Sequence, residues 1–238
     1  MNIEHRTVFV SGANRGIGKA LVEELLKNGV KKIYAGARNT SSLPQFNDDR
    51  VTPIELDITK QEQVQSAAKQ AQDVDLLINN AGVASFSSIL DGPLENVQND
   101  MNTNYYGTLN MIRSFVPGLE KVQNPVIVNI VTIGAFVNFP ILGGYCASKA
   151  ALFSMSQAIR MELAPRAISV HTVNPGPIDT DMAKDFDTDK SSPEVTAQNI
   201  IADLKADIGD IFPDPGSQAM FGVWKKDYRE LEKMVSEM

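Results

Sequence analysis

What most narrows the fold of this chain is a regular alternation of short β-rich runs with helical patterns. Residues 6–11 are β-rich and end at a glycine turn, and 17–27 carry apolar residues at helical spacing. Residues 31–37 read as a second strand, followed by a polar, turn-rich segment over 39–50 and a third strand over 51–56. Residues 60–72 read as a helix without a strong apolar face, and 74–79 as a fourth strand. A long helical pattern covers 93–119, with Pro93 suited to its first turn. Residues 125–131 are apolar except for Asn129, as in a strand buried on both faces of a parallel sheet. A helix over 145–163 and a strand over 168–173 follow, the strand broken by Asn174-Pro-Gly-Pro177. Alternation of this kind predicts an α/β fold with a doubly wound parallel sheet and helices on both faces. No repeat, linker or low-complexity stretch divides the chain, so residues 1–238 are expected to form one domain.

Composition excludes several classes. The net charge of -7 is dispersed, and the densest charged cluster, 225–233, alternates in sign as a solvated helix face does, which argues against nucleic acid as a partner. Cys146 is the only cysteine, so neither an intrachain disulfide framework nor a Cys-rich metal site is available, and a reducing compartment is expected. His5 and His171 are far apart in sequence and read as structural or surface residues. No signal-like segment precedes the first strand, and no apolar run reaches the roughly 18 residues of a membrane span. A soluble, cytoplasmic protein without a membrane partner is the expectation.

Two local patterns carry chemistry. The first strand feeds Gly12-Ala-Asn-Arg15-Gly16-Ile-Gly18, where glycines permit tight turning and the following helix N-terminus offers free amides to a pyrophosphate. Three residues separate the first two glycines, unlike the Gly-x-Gly-x-x-Gly fingerprint, and such a turn also serves purely steric ends. Tyr145 and Lys149 stand four residues apart and share one helical face. An ammonium beside a phenol lowers its pKa from about 10 and suits the pair to general acid/base work. The spacing alone also fits a helix-surface pair.

Taken together, five motifs in order resemble the short-chain dehydrogenase/reductase family. Gly12-x-x-x-Gly16-x-Gly18 looks like its cofactor loop and Asn79-Asn80-Ala81-Gly82 like its fourth-strand motif; Asn104-Tyr-Tyr-Gly107 is similar to its helical asparagine motif. Tyr145-x-x-x-Lys149 resembles its catalytic pair, and Pro175-Gly176 its turn beside the nicotinamide. Thirteen residues before the tyrosine, where the family usually has serine, stands Thr132. It keeps the hydroxyl but adds a β-branch that stiffens χ1. A strand-end threonine chosen for β-propensity is the alternative.

The resemblance implies a Rossmann fold and an NADPH-dependent oxidoreductase interconverting a ketone or aldehyde and an alcohol. Tyr145 would exchange the proton and Thr132 would donate to the carbonyl oxygen; Lys149 would tune the tyrosine and hold the nicotinamide ribose. Asn104 would support a water chain, unless it only caps or kinks its helix. The residues that would line the cofactor are Gly12, Asn14, Arg15, Gly16, Ile17, Gly18, Arg38, Asp57, Ile58, Asn80, Ala81, Gly82, Tyr145, Lys149, Pro175, Gly176, Ile178 and Thr180. Ala37 stands where an acidic residue would select NAD, while Arg15 and Arg38 suit a 2′-phosphate, so NADP(H) is expected. No metal site is expected. Ser85, Phe86, Ile133, Phe136, Phe139, Leu142, Met182 and Phe186 would surround an apolar small-molecule substrate, with a lid near 179–192. A homodimer or homotetramer is implied, although the tail after Pro193 departs from the family's usual ending. The alternative function is a nucleotide-binding regulator or redox sensor that keeps the fold with little turnover.

Overall fold

The computed structural model describes residues 1–237. Its centre is a sheet of seven parallel strands in the order β3-β2-β1-β4-β5-β6-β7: Thr7–Ser11 (β1), Lys32–Ala37 (β2), Val51–Glu55 (β3), Leu76–Asn79 (β4), Val126–Ile130 (β5), Ser169–Val173 (β6) and Asp210–Ile211 (β7). This is the expected doubly wound Rossmann sheet. One face packs Leu21, Leu25, Ile200 and Leu204 from α1 (Gly16–Lys27) and α6 (Pro193–Lys205). The other packs Val64, Met111, Phe115, Leu152 and Ile159 from α2 (Gln61–Gln70), α4 (Thr108–Leu119) and α5 (Gly143–Leu163). Strands covered on both sides cannot afford alternation, which is why β1 and β5 are buried at every residue.

Asn129 fits this dry environment because its amide is satisfied. It accepts from Asn79 Nδ2 at 2.8 Å and donates to Ser156 Oγ at 2.9 Å, and that hydroxyl donates to the Leu152 carbonyl at 2.7 Å. The chain of bonds fastens β4 and β5 to α5, the helix that carries Tyr145. Strand order reverses between β1 and β4, and a cleft opens beyond the carboxyl ends of the strands at this switch point.

Several boundaries differ from the sequence expectation. The helix expected over 93–119 is α3 (Leu94–Asp100), a π-helical stretch (Met101–Gly107) and α4, with Pro93 at the cap rather than within the first turn. Helix α5 begins two residues before Tyr145. The C-terminal third holds elements that sequence reasoning leaves unassigned: α6, β7 and α7 (Pro215–Trp224). Ser192 caps α6 with Pro193 behind it, and Asp214 with Ser217 forms a capping box at α7. The charged terminal segment forms α8 (Tyr228–Ser236), which buries only Leu231 and Val235. No helix among the described residues is long and apolar enough to cross a membrane.

Candidate active site

The glycine loop is shaped by crowding. Gly12 has φ +67°, and a Cβ on Gly18 would lie 2.1 Å from the Gly12 carbonyl oxygen, so neither position accepts a side chain without a shift of backbone. Asn80 holds the loop from the fourth strand, donating to the Ser11 and Gly12 carbonyls at 3.0 Å each. Helix α1 has no side-chain cap, which leaves its first amides facing the cleft beside Gly16, Ile17 and Gly18.

That cleft has a volume of about 1120 Å³. Every cofactor-lining residue expected from the sequence borders it, together with Thr132. Arg15 and Arg38 stand exposed at one end, Arg15 paired with Asp181 at 3.0 Å. Asp57 turns its carboxylate back onto Thr59, accepting from its amide and hydroxyl. Thr180 lies over the loop, its methyl 3.1 Å from where a Gly16 Cβ would be.

At the other end are Tyr145, Lys149 and Thr132. Lys149 is 4% exposed and donates from Nζ to the Ile130 carbonyl at 2.7 Å, with Nζ 5.9 Å from the Tyr145 ring centre. Burial lowers the Lys149 pKa to about 8. The expected depression of the tyrosine is not present: burial pushes the Tyr145 phenol well above its ordinary value, neighbouring Cys146 adds to the rise, and Thr132 opposes it. The physical reason is desolvation of the phenol, which the ammonium, turned to a backbone carbonyl, does not offset. Thr132 caps a short turn over Ile133–Ala135, accepting from Gly134 N–H and donating to the Pro175 carbonyl, each at 3.2 Å.

Asn104 does not border the cleft. It is fully buried and binds the backbone of Val83 twice, donating to its carbonyl and accepting from its amide at 2.9 Å, with a further bond to Ser148 Oγ. Its own carbonyl accepts from Thr108 Oγ1 at 2.9 Å. Gly82 is confined by this pair: a Cβ there would meet Asn104 Oδ1 at 3.0 Å and Lys149 Nζ at 3.5 Å.

Of the residues expected around a substrate, Phe86, Ile133, Phe139, Leu142, Met182 and Phe186 border the cleft. Two do not. Phe136 packs in an aromatic cluster with Phe153, Phe212, Phe221 and Trp224 beneath α7, and Ser85 turns its amide to Asp100 at 2.9 Å. Sequence reasoning missed Met220 and Val235, which α7 and α8 bring to the cleft from a tail without a strand–helix rhythm. It also missed Asp100, a fully buried acid one helical turn before Asn104, whose Oδ2 has no partner and lies 3.0 Å from where a Gly144 Cβ would be. The signal was available: an aspartate at helical spacing from Asn104 on the same face. No group of three or more His, Cys, Asp or Glu among the described residues is arranged to hold a metal.

Residues 6–191 match the short chain dehydrogenase family model. Among curated proteins, the chain is 32% identical over 201 residues to a 3-ketodihydrosphingosine reductase of Bacteroides thetaiotaomicron, covering 83% of this chain and 71% of that one. Among solved structures, a short chain dehydrogenase of Burkholderia cenocepacia in complex with NADP is similar with a TM-score of 0.94 and 37% identity over 99% of both chains. A 3-ketoacyl-(acyl-carrier-protein) reductase of Brucella melitensis complexed with NADH has a TM-score of 0.82 and 25% identity, covering 90% of this chain and 99% of that one.

Proposed function

The chain belongs to the short-chain dehydrogenase family of oxidoreductases, and from that premise we propose that residues 1–238 act as one dinucleotide-binding and catalytic domain that reduces a ketone or aldehyde with NADPH. The observation that carries this reading is one cleft bordered at one end by the glycine loop and two guanidinium groups, and at the other by Tyr145, Thr132 and Lys149. The fit to a dinucleotide rests on the Gly12 and Gly18 contacts, which leave the loop bare of side chains, and on the uncapped α1 amides. Support for the phosphorylated cofactor comes from Arg15 and Arg38 without an opposing acid at Ala37, and from the NADP complex of the Burkholderia relative.

Bound NADPH supplies the hydride. Tyr145, half-buried at the cleft, is protonated across the neutral range because even an ordinary phenol titrates at about 10 and its surroundings shift it upward, and it donates the proton to the oxygen that becomes the alcohol. Thr132 rotates its hydroxyl from the Pro175 carbonyl to the substrate oxygen, where negative charge develops. Lys149, with a pKa near 8, is poised to exchange its Ile130 contact for the nicotinamide ribose and to reprotonate the tyrosine. Asn104 fixes the Val83 backbone and, through Ser148, the first turn of α5, so it positions the tyrosine rather than touching substrate. Residues 179–192 form a lid whose Asp181 is tied to Arg15, with the cofactor's anionic end competing for the same guanidinium.

The test is NADPH oxidation followed by absorbance against ketones and aldehydes, with Tyr145→Phe as control. Parent turnover, with the variant retaining NADPH binding but less than a few per cent of the rate, is the expected outcome. A Phe variant that still reduces carbonyls at a substantial rate overturns the assignment. NADPH binding with no turnover on any substrate identifies a regulator instead.

A further inference from the structure

Resting on that reading, we infer that the substrate is an uncharged, elongated ketone whose apolar chain leaves the cleft between Phe86 and the lid and lies on a rim formed by Ile89, Leu90 and Ile141. The mouth of the cleft is lined by Phe86 and Ile141, which are 49% and 52% exposed. Phe86 meets Phe186 of the lid with ring centres 5.8 Å apart, so the mouth is aromatic on both sides. Outside it the apolar surface continues: Ile89 is 51% exposed and Leu90 89%.

These residues form one surface because two segments are joined. The Ser87 amide donates to the Ile141 carbonyl at 2.9 Å, Ser87 and Leu142 form a parallel bridge, and Ile89 packs where a Gly143 Cβ would stand. Apolar side chains that lead from a reacting centre out onto the surface make a site for a ligand longer than the cavity.

Charge argues for the class of ligand. Neither rim segment, 84–99 nor 133–145, contains lysine, arginine or histidine, and its only charges are Asp91 and Glu95. The cations that border the cleft, Arg15, Arg38 and Lys149, stand at the cofactor end or on the floor beneath the tyrosine. The lid's Lys184 and Lys190 do not border the cleft, so a carboxylate, a phosphate or an acidic carrier on the substrate meets no counterion among the residues lining this mouth, and the rim acids repel it. An alkyl chain meets the side chains of Phe86, Ile89, Leu90 and Ile141.

The experiment measures kcat/KM with NADPH for methyl ketones from butanone to undecanone, and for a keto acid of matched length. Burial of a methylene is worth about 0.8 kcal/mol, so each added carbon raises kcat/KM up to about fourfold until the chain passes the rim. The keto acid shows no such gain. Leu90→Asp, at a site too exposed to unfold the protein, cuts the ratio of undecanone to butanone rates by about tenfold, and Leu90→Met keeps it. A flat response to chain length in the parent, a keto acid preferred over the ketone, or an Asp variant that keeps the full ratio overturns the inference while leaving carbonyl reduction in place. A change in oligomeric state on Leu90→Asp also overturns it, because the rim then belongs to a contact between copies. Absence of turnover on every ketone, with aldehydes still reduced, overturns the inference alone; absence of turnover on ketones and aldehydes alike overturns the proposed function and the inference with it.

Discussion

At the glycine-loop end of the cleft the charges stand in water, whereas at the floor under Tyr145 they do not. The Arg15 and Asp181 side chains are 65% and 71% exposed, but Lys149 is 4% exposed and Asp100 and Asn104 are fully buried. An exposed pair such as Arg15–Asp181 contributes under about 1 kcal/mol and is screened by salt. It is easily exchanged for a ligand anion. A buried group instead carries a desolvation cost that no counterion in this structure offsets, and its pKa moves accordingly: Lys149 down, Tyr145 and Asp100 up. One end is thus suited to recognition by charge and the other to proton chemistry, within the same cavity.

The largest expected break in this contrast comes from the floor. Thr132→Val removes a hydroxyl while keeping the β-branched shape, and should lower kcat by about a hundredfold or more while NADPH binding, measured by fluorescence quenching, stays near the parent value. Thr132→Ser should retain activity. Wild-type turnover in the Val variant means that another donor serves the carbonyl.

Next is the stability hidden in Lys149. Its folded pKa of about 8 lies below the ordinary lysine value of about 10.5, so between these two the unfolded chain holds more protons and stability rises with pH. Below pH 8 the full burial penalty is present; above about 10.5 it is gone. Lys149→Met should therefore unfold at higher urea concentration than the parent at pH 7, by up to about 3 kcal/mol, and the difference should shrink as pH passes from 8 to 10.5. A parent–variant difference that is constant with pH contradicts burial as the cause of the shift.

The same contrast explains what sequence alone conveyed. The sheet is legible because parallel strands covered on both faces must be apolar throughout, and runs such as 126–130 have few other interpretations. The cleft end is legible too, since Gly12, Gly16 and Gly18 answer a local backbone demand. By contrast, β7 has only two residues, too few to show a period, and α7 turns mostly half-buried or exposed residues to a site made by tertiary packing. Asp100 shows the deeper limit. Its spacing from Asn104 was visible, but whether its carboxylate faced water or the start of α5 depended on where the helix packed. The direction of the tyrosine shift is hidden for a related reason: spacing puts Lys149 beside Tyr145, and only the fold desolvates the phenol and turns the ammonium to Ile130.

At the exposed end the expected effect is smaller. Arg38→Asp should reverse the cofactor order, because a charge-assisted bond to a phosphate is worth about 1.5 to 3 kcal/mol, or about ten- to a hundredfold in affinity. Raising salt should weaken NADPH more than NADH in the parent and should narrow the variant's reversed preference, because the repulsion of the phosphate by the new carboxylate is screened in the same way. Equal parent affinities for the two cofactors remove the charge argument for this end.

The smallest effect, and the sharpest test of the buried end, is Asp100→Asn. The carboxylate accepts from the Ser85 amide through Oδ1, and its free Oδ2 lies beside Gly144, the residue before Tyr145. Its negative charge works against ionisation of both Tyr145 and Cys146, though in each case burial is the larger cause. Asparagine keeps the acceptor for Ser85 and nearly the same volume but removes the charge. In the oxidative direction, where Tyr145 must first lose its proton, the pH–rate profile of the variant should move to lower pH by about one unit or less. The reductive rate at neutral pH should change little, since the protonated phenol is then the reactant in both proteins. Asp100→Leu removes the Ser85 bond as well, so a loss of activity in that variant with an unmoved profile in the Asn variant assigns Asp100 to holding the loop alone. A profile that moves to higher pH in Asp100→Asn contradicts the electrostatic account, because deleting a nearby anion can only ease ionisation of a phenol in an otherwise unchanged site.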